Sequence, residues 1–571
     1  MTDLSSLDFA ALRSETVGID CPITTPFGER LMVYCDYTAS GRCLGFIERY
    51  LQSLQRNYAN THTEDDITGR SMTQLLHTAE TIIKESVNAG PQGRIIAVGT
   101  GSTGAIDRFQ QLIGVAYPPV TGERLLTLLG EFMGPEKVPD FHTLLAERRP
   151  VVFIGPYEHH SNEITWRQGI ATVVEIGLDP DGGTDLAQLE ALLQTEEWQG
   201  RMRIGSFSAA SNVTGRRTPV REVTALLHRY DALACFDYAA CAPYVEIDMN
   251  PPAEDGEDAS IDAVFLSPHK FLGGPGSPGI LVFNEKLYRR DLPPTIGGGG
   301  TVAFVGPHTH DYLEDIEARE KAGTPGVLQV LKAALAFQVK DAVGVERIEA
   351  REAELLERAM ERLAAHERIE ILGNPDPRHR IGIISFNIRS GEGRYLHPKF
   401  VTVFLNDLFG IQTRAGCSCA GPYAHRLLGL DEETSERFRN QVREGYEGIK
   451  PGWCRLGLHY AMDDAEADYV ISAVEFAASY GHRFLPLYDF DPVTGGWSYR
   501  GYEDTPEAFG LTAALEAESP GNGCVAPEER TRLYESYLDE ARARAGELEA
   551  EPAMERTVLD GRFGDLQYFP V

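Results

Sequence analysis

Short apolar runs punctuate the first half of this 571-residue chain, each followed closely by glycine, a hydroxyl or a charge. Arg94-Ile95-Ile96-Ala97-Val98, Val151-Val152-Phe153-Ile154, the run opening at Ile204, Leu233-Ala234-Cys235-Phe236 and Ile261-Asp262-Ala263-Val264-Phe265-Leu266 are short and mostly apolar rather than alternating. That pattern belongs to strands buried on both faces. Stretches at helical spacing lie between them, such as Ala105 to Ile113. Over residues 61–328 the alternation predicts a mostly parallel sheet covered by helices, an α/β large domain. Leu328, Leu331, Ala334 and Leu335 open a predicted helix pair over 327–365, most of them expected in the core. Arg380 to Ile388 reads as a strand of a second, smaller domain. The expected organisation is an N-terminal segment 1–60, a large domain 61–328, a small domain 329–486 and an acidic extension 487–571. A helix is expected in the extension from Pro527 to about Glu549.

The chemistry gathers where these runs end. Ser267-Pro268-His269-Lys270-Phe271-Leu272-Gly273-Gly274-Pro275-Gly276 places one lysine at a strand end among hydroxyls and glycines, while the Leu233 run ends in Asp237. A lysine that forms a Schiff base and an acid that keeps a pyridine nitrogen protonated are what pyridoxal phosphate (PLP) requires. A plain ion pair at a sheet edge gives the same two residues. His159 follows the Val151 run, where an imidazole can lie flat on an aromatic cofactor, and Asn212 follows the Ile204 run, within reach of a cofactor's phenolic oxygen. Gly99-Thr100-Gly101-Ser102-Thr103-Gly104 joins a strand to a helix N-terminus, a site for an anion. These glycines also fit the dinucleotide fingerprint, but that motif wants an acid about 20 residues on at a second strand end. Here Tyr117 to Glu123 reads as a turn. A mononucleotide-sized phosphate, with the hydroxyls of Ser102 and Thr103 as ligands, fits better.

With these segments in place, the chain resembles the class V aminotransferase group of PLP enzymes, and within it the cysteine desulfurases and selenocysteine lyases, over roughly residues 20–485. Six ordered motifs carry the resemblance: the Gly99–Gly104 turn, Glu158-His159-His160-Ser161-Asn162, Ser211-Asn212-Val213-Thr214-Gly215, Asp237, Ser267-Pro268-His269-Lys270, and Ala322-Gly323-Thr324-Pro325. It implies PLP fold-type I, the aspartate aminotransferase-like architecture, with a smaller α+β C-terminal domain and a homodimer with shared active sites. Position by position, it implies that Lys270 carries the cofactor, Asp237 partners the pyridinium and His159 stacks on the ring. Ser102, Thr103, Ser267 and His269 would bind the phosphate, and Thr324 would reach the phosphate of the neighbouring subunit. Arg455, in Cys454-Arg455-Leu456-Gly457, takes the place of the arginine that clamps a substrate carboxylate, a task suited to a bidentate guanidinium. Its structural alternative is a surface salt bridge. Asp36-Tyr37-Thr38-Ala39-Ser40-Gly41 resembles the family's substrate-proximal strand, and Asn60-Thr61-His62 follows on a loop, which makes Asn60 and His62 candidates for substrate binding.

Reaction type turns on Arg414-Ala415-Gly416-Cys417-Ser418-Cys419-Ala420. In the family this loop carries a mobile cysteine that attacks the substrate's sulfur, and Cys419 stands at that place, with Arg414 favouring the thiolate. The implied reaction takes sulfur or selenium from a small cysteine-type amino acid to a Cys419 persulfide, releasing alanine, with a sulfur-acceptor protein downstream. Two departures are visible. Cys417 and Ser418 replace the usual histidines, and Ala240 stands where the desulfurases carry a glutamine. Cys417 can exchange sulfur with Cys419, pair with it in a strained disulfide, or be inert. A single C-x-C without partners is no zinc site, so no metal is expected. The alternatives are a carbon–sulfur β-lyase making pyruvate and ammonia from a cysteine conjugate, an aminotransferase, and a non-catalytic scaffold in sulfur trafficking. Segments 123–149 and 430–451 look inserted relative to the family core.

A formal charge of −32 disfavours nucleic acid and anionic lipid as partners. No apolar run reaches the length of about 18 residues that a membrane span needs, and no leader is visible, so a cytoplasmic location is expected. Nine cysteines without paired spacing fit a reducing compartment, and Cys35, Cys43, Cys235 and Cys241 are expected to be simply buried.

Overall fold

The computed structural model describes residues 7–571 except 62, 64, 255, 391–393, 504–508, 517–523, 551–558, 560 and 562, so the candidate His62 lies outside the described residues. Two compact units are formed: Thr38–Glu349 with His379–Ile381, and Ser6–Tyr37 with Ala350–Arg378 and Gly382–Val571.

The first unit is built on seven strands: β1 (Gly93–Val98), β2 (Val151–Ile154), β3 (Thr172–Glu175), β4 (Arg203–Ser208), β5 (Leu233–Asp237), β6 (Ala263–Leu266) and β7 (Gly279–Asn284). Their spatial order is β1-β7-β6-β5-β4-β2-β3. β7 runs antiparallel to both its neighbours, whereas β6, β5, β4, β2 and β3 pair in parallel. β2 and β6 are buried along their whole length, which is why they read as unbroken apolar runs. Ile96, Phe109, Val152, Trp166, Phe265 and Leu281 belong to one core cluster.

Because β1, β2, β4, β5 and β6 point the same way, their C-terminal ends share one edge of the sheet. Ligands of open α/β sheets bind outside that edge. The turns leaving it are the segments that carry the chemistry: Gly99–Gly104, Gly155–Asn162, Ala209–Gly215, Asp237 and Ser267–Gly276. Asp237 lies opposite Ser208 of β4 and Phe265 of β6. β7 begins at this same edge, where Gly279 pairs with Val98.

The helix pair is observed as Val327–Val343 and Val345–Ala365. Its apolar stripe starts at Val327 and runs through Val330, Leu331, Ala334 and Phe337, leaving Leu328 and Leu335 only half-buried. Residues 117–123 differ from expectation. The turn read there is the start of a helix, Pro119–Met133, because a proline with its fixed φ sits comfortably at the first helical position. With the helix Val138–Arg148 it fills the 123–149 segment, and neither helix buries a residue.

The second unit has a four-stranded antiparallel sheet of β8 (Ile369–Ile371), β9 (Ile383–Ile388), β10 (Arg414–Gly416) and β11 (Trp453–Gly457), ordered β8-β9-β11-β10. Val33–Tyr34 pairs in parallel with Ile411–Gln412, leading directly into Asp36. The helix expected from Pro527 is observed as Pro527–Ala550. Its buried Arg530 is ion-paired to Asp463, and Tyr534 stacks on Tyr469 with ring centroids 4.0 Å apart. Phe563 and Leu566, near the chain end, close an apolar cluster with Phe438 and Ile449 from the 430–451 segment. Cys35, Cys235 and Cys241 are buried as expected, whereas Cys43 is half-buried with its Sγ 3.8 Å from Lys332 Nζ. Among the described residues no helix is long and apolar enough to cross a membrane.

Backbone crowding at the functional edge gives a direct test. A Cβ at Gly279 would lie 2.0 Å from the Gly101 carbonyl oxygen. Gly279→Ala is expected to cost about 1–3 kcal/mol in urea unfolding by forcing the two backbones apart. Unchanged stability would contradict the close approach.

Candidate active site

Lys270 ends a single 3₁₀ turn, Pro268–Lys270, that caps β6. Asp237 ends the neighbouring β5 and is 3% exposed. Its Oδ1 accepts the Ala239 N–H at 2.9 Å, and its Oδ2 lies 3.5 Å from Ser102 Oγ. Burial pushes this carboxyl up from the ordinary carboxylate range, while the Ala239 N–H, the charge of Lys270 and Ser102 pull it back. Two adjacent strand ends thus set a buried acid within electrostatic reach of a lysine.

Beside them is a cradle for a small anion. Gly101, at φ +52°, opens the helix Gly101–Leu112, and the Ser102 N–H donates to Ser267 Oγ at 2.8 Å. A Cβ on Gly101 would sit 3.0 Å from Ser267 Oγ and 3.5 Å from His269 Nε2. The helix N-terminus, a hydroxyl and an imidazole therefore face one small volume. Ser40 fixes the imidazole: its Oγ donates to the His269 carbonyl at 3.1 Å and lies 3.3 Å from His269 Nδ1. The Gly41 N–H donates to the same carbonyl at 2.9 Å. Burial, helped by the Lys270 charge, lowers His269 to about 4, so the ring is neutral at physiological pH.

Thr103, expected among the phosphate ligands, makes a different bond. Its Oγ1 is 2.6 Å from Ser161 Oγ, which is 3.0 Å from His159 Nδ1. The Ser161 N–H donates to that nitrogen at 3.2 Å, which leaves a neutral His159 ring with its proton on Nε2. Below His159 lies Glu158, 4% exposed. Its Oε1 accepts the backbone N–H groups of Ser208 at 2.7 Å and Gly155 at 3.1 Å, and its Oε2 accepts Ser208 Oγ and Asn162 Nδ2, both at 2.7 Å. Burial pushes this carboxyl up to about 7 against the pull of those donors. Asn212 is buried in the turn after β4. Asn60 Nδ2 donates to Thr324 Oγ1 at 3.1 Å, both side chains being exposed. Ser40, Ser161 and Glu158 were not anticipated as site residues, although all three lie inside segments that the sequence marks.

In the second unit Arg455 projects from β11 and is 4% exposed, a buried arginine rather than a surface salt bridge. Its Nη2 donates to Asp36 Oδ1 at 3.0 Å while Arg414 Nε donates to Asp36 Oδ2 at 2.8 Å. Burial lowers the Arg455 pKa and the Asp36 carboxylate opposes this. Cys419 is exposed on a tight turn. The Ala420 N–H donates to the Cys417 carbonyl at 3.1 Å, and Ser418 and Cys419 between them sit at φ +51° and +56°. That is the pattern of a type I′ turn, which normally takes Asn-Gly. Each non-glycine residue held there costs about 1–2 kcal/mol. Trp453 Nε1 donates to Ser418 Oγ at 3.2 Å and pins the turn.

This geometry accords with the comparisons. The family model for class-V aminotransferases matches residues 142–470, more than half of the chain, and the protein belongs to that family. A probable cysteine desulfurase of Streptomyces coelicolor is 26% identical over 444 residues, 77% of this chain and 94% of the relative. One from Halalkalibacterium halodurans is 28% identical over 305 residues, covering 53% of this chain and 69% of that one. Among solved structures, the apo cysteine desulfurase of Thermococcus onnurineus matches with a TM-score of 0.61 at 20% identity, over 78% of this chain and 95% of its own. The Escherichia coli cysteine desulfurase CsdA, in its S-sulfonic acid form, gives 0.58 at 18% identity over 83% and 99%. The fold is PLP fold-type I.

Two measurements check the site. Glu158 binds its proton more tightly folded than unfolded, so its contribution to stability is full below about pH 4.5 and lost as pH rises to about 7. The wild type is expected to lose stability relative to Glu158→Gln at about 1.4 kcal/mol per pH unit across that window, and a constant difference would refute it. For the turn, Cys419→Gly is expected to be more stable than Cys419→Ala by roughly 0.5–1 kcal/mol, the left-handed penalty less glycine's extra unfolded-state entropy. The reverse order would argue against the strained turn.

Proposed function

We propose that the protein is a PLP-dependent cysteine desulfurase-like enzyme that moves sulfur or selenium from an L-cysteine-type substrate to a persulfide on Cys419, with release of alanine. The observation that carries this is the buried Asp237 within reach of Lys270 at adjacent strand ends, next to the anion cradle. The residues fit PLP: the Gly101 position that a Cβ would crowd, with Ser267 and His269 around it, suits a phosphate dianion. Ser102, Thr103, Ser267 and His269 would hold the phosphate, Asp237 the pyridine nitrogen, His159 the ring face, Asn212 the phenolic oxygen and Lys270 the aldehyde carbon. When bound, the cofactor supplies an electron sink for carbanion chemistry at the substrate's α-carbon. Asp237 keeps a proton on the ring nitrogen, and Lys270 Nζ removes and returns the α-proton. The Ser161–Thr103 pair keeps His159 Nδ1 occupied and its ring fixed for stacking.

Arg455 is assigned the substrate carboxylate, its orientation set by Asp36, with Asn60 and His62 as further substrate contacts. Cys419 attacks the sulfur as thiolate. The reading includes a homodimer with shared sites, Thr324 reaching the partner's phosphate, and a sulfur-acceptor protein. A carbon–sulfur β-lyase is the second reading, favoured by Ala240 and by Cys417 and Ser418 standing in place of the family's histidines just before Cys419.

Incubating the purified protein with L-cysteine and quantifying alanine, pyruvate and sulfide separates the two. Lys270→Ala is expected to lower turnover by roughly 10²–10⁴-fold or more under either reading. Cys419→Ala is expected to abolish alanine formation. Pyruvate formed equally by wild type and Cys419→Ala would establish the lyase instead.

A further inference from the structure

We propose that Cys417 takes the transferred sulfur from Cys419, so that the 417–420 turn stores two sulfurs per subunit; this rests on the desulfurase reading of Cys419. The turn places the two thiols at its first and third positions, closed by the bond from the Ala420 N–H to the Cys417 carbonyl. Residues two apart are at most about 7 Å apart at Cα, and a turn brings them nearer. Both cysteines are free thiols.

The frame around them is fixed. Gly416 lies at φ +120° and packs so closely on Gly452 that a Cβ there would be 2.8 Å from the Gly416 carbonyl carbon. Trp453 holds Ser418 in the middle of the turn. Exposure divides the roles, since Cys419 is exposed whereas Cys417 is half-buried. Two consecutive non-glycine residues at positive φ are backbone strain of the kind that accumulates where a side chain must be presented.

The step is a thiol–persulfide exchange. The Cys417 sulfur attacks the terminal sulfur of the Cys419 persulfide, a new S–S bond forms on Cys417, and the S–S bond to Cys419 breaks. The proton leaving the Cys417 thiol passes to the departing Cys419 thiolate. The Cys417 sulfur is oxidised from the thiol to the persulfide level as the Cys419 sulfur is reduced back to a thiol, so the exchange needs no outside oxidant or reductant, and Cys419 is ready for a second turnover. A Cys417–Cys419 disulfide would instead close a small ring on an already strained turn, against the geometry that S–S bonds prefer.

Tryptic cleavage after Arg414 and Arg426 releases both cysteines on one peptide. Wild type, Cys417→Ser and Cys419→Ser, loaded with PLP, are given L-cysteine without reductant, then alkylated and mapped by mass spectrometry. The expected burst is about two alanines per subunit in wild type, about half that in Cys417→Ser and none in Cys419→Ser, with added sulfur on Cys417 in wild type. In a second arm, inorganic polysulfide is applied to Lys270→Ala protein, where sulfur is expected on Cys417 only when Cys419 is present. Equal bursts with Cys417 unlabelled, or a Cys417–Cys419 disulfide with released sulfide, would overturn the relay and leave the desulfurase reading intact. No alanine from the wild type would overturn that reading, and the relay with it.

Discussion

A carboxylate buried at a strand end is the constraint on which the rest of the structure depends. Removing Asp237 from water raises its pKa, and the groups that oppose this are one backbone N–H, one serine hydroxyl and the charge of Lys270. An acid so placed is poor stabilisation by itself, because the desolvation of a buried ion pair offsets much of its attraction. It is well placed to hold a protonated ring nitrogen.

Backbone proximity does the remaining work. Gly41 comes so close to the lysine turn that a Cβ would lie 2.1 Å from the Phe271 carbonyl oxygen, and Gly279 crowds Gly101 in the same way. These approaches bring the helix N-terminus, Ser267 and His269 around one point. In the second unit the same economy appears as a charge cluster, with Asp36 shared between Arg455 and Arg414.

Much of this was legible in the sequence, for definite reasons. Strands buried on both faces are mostly apolar runs, so their ends, and the residues just past them, are marked in the sequence itself. A strand–glycine–helix junction likewise announces an anion site. What escaped were side-chain bonds spanning long stretches of chain. Ser40 and His269 are 229 positions apart, and Asp36 and Arg455 are 419 apart; no local periodicity marks either pair. The helix at Pro119 was missed because a double proline reads as a turn, although it serves equally well as a helix start. The left-handed Ser418 and Cys419 were hidden because neither residue type favours that conformation. Thr103 illustrates a subtler limit: its place in the glycine turn was evident, but its bond to Ser161 was not.

The central claim is that Lys270, governed by Asp237, is the lysine that holds the cofactor. Borohydride reduction of the PLP-loaded wild-type protein, followed by peptide mapping, tests it most directly. The account predicts one pyridoxyl label per chain, on Lys270. A label on another lysine, or no label with PLP in excess, would contradict it.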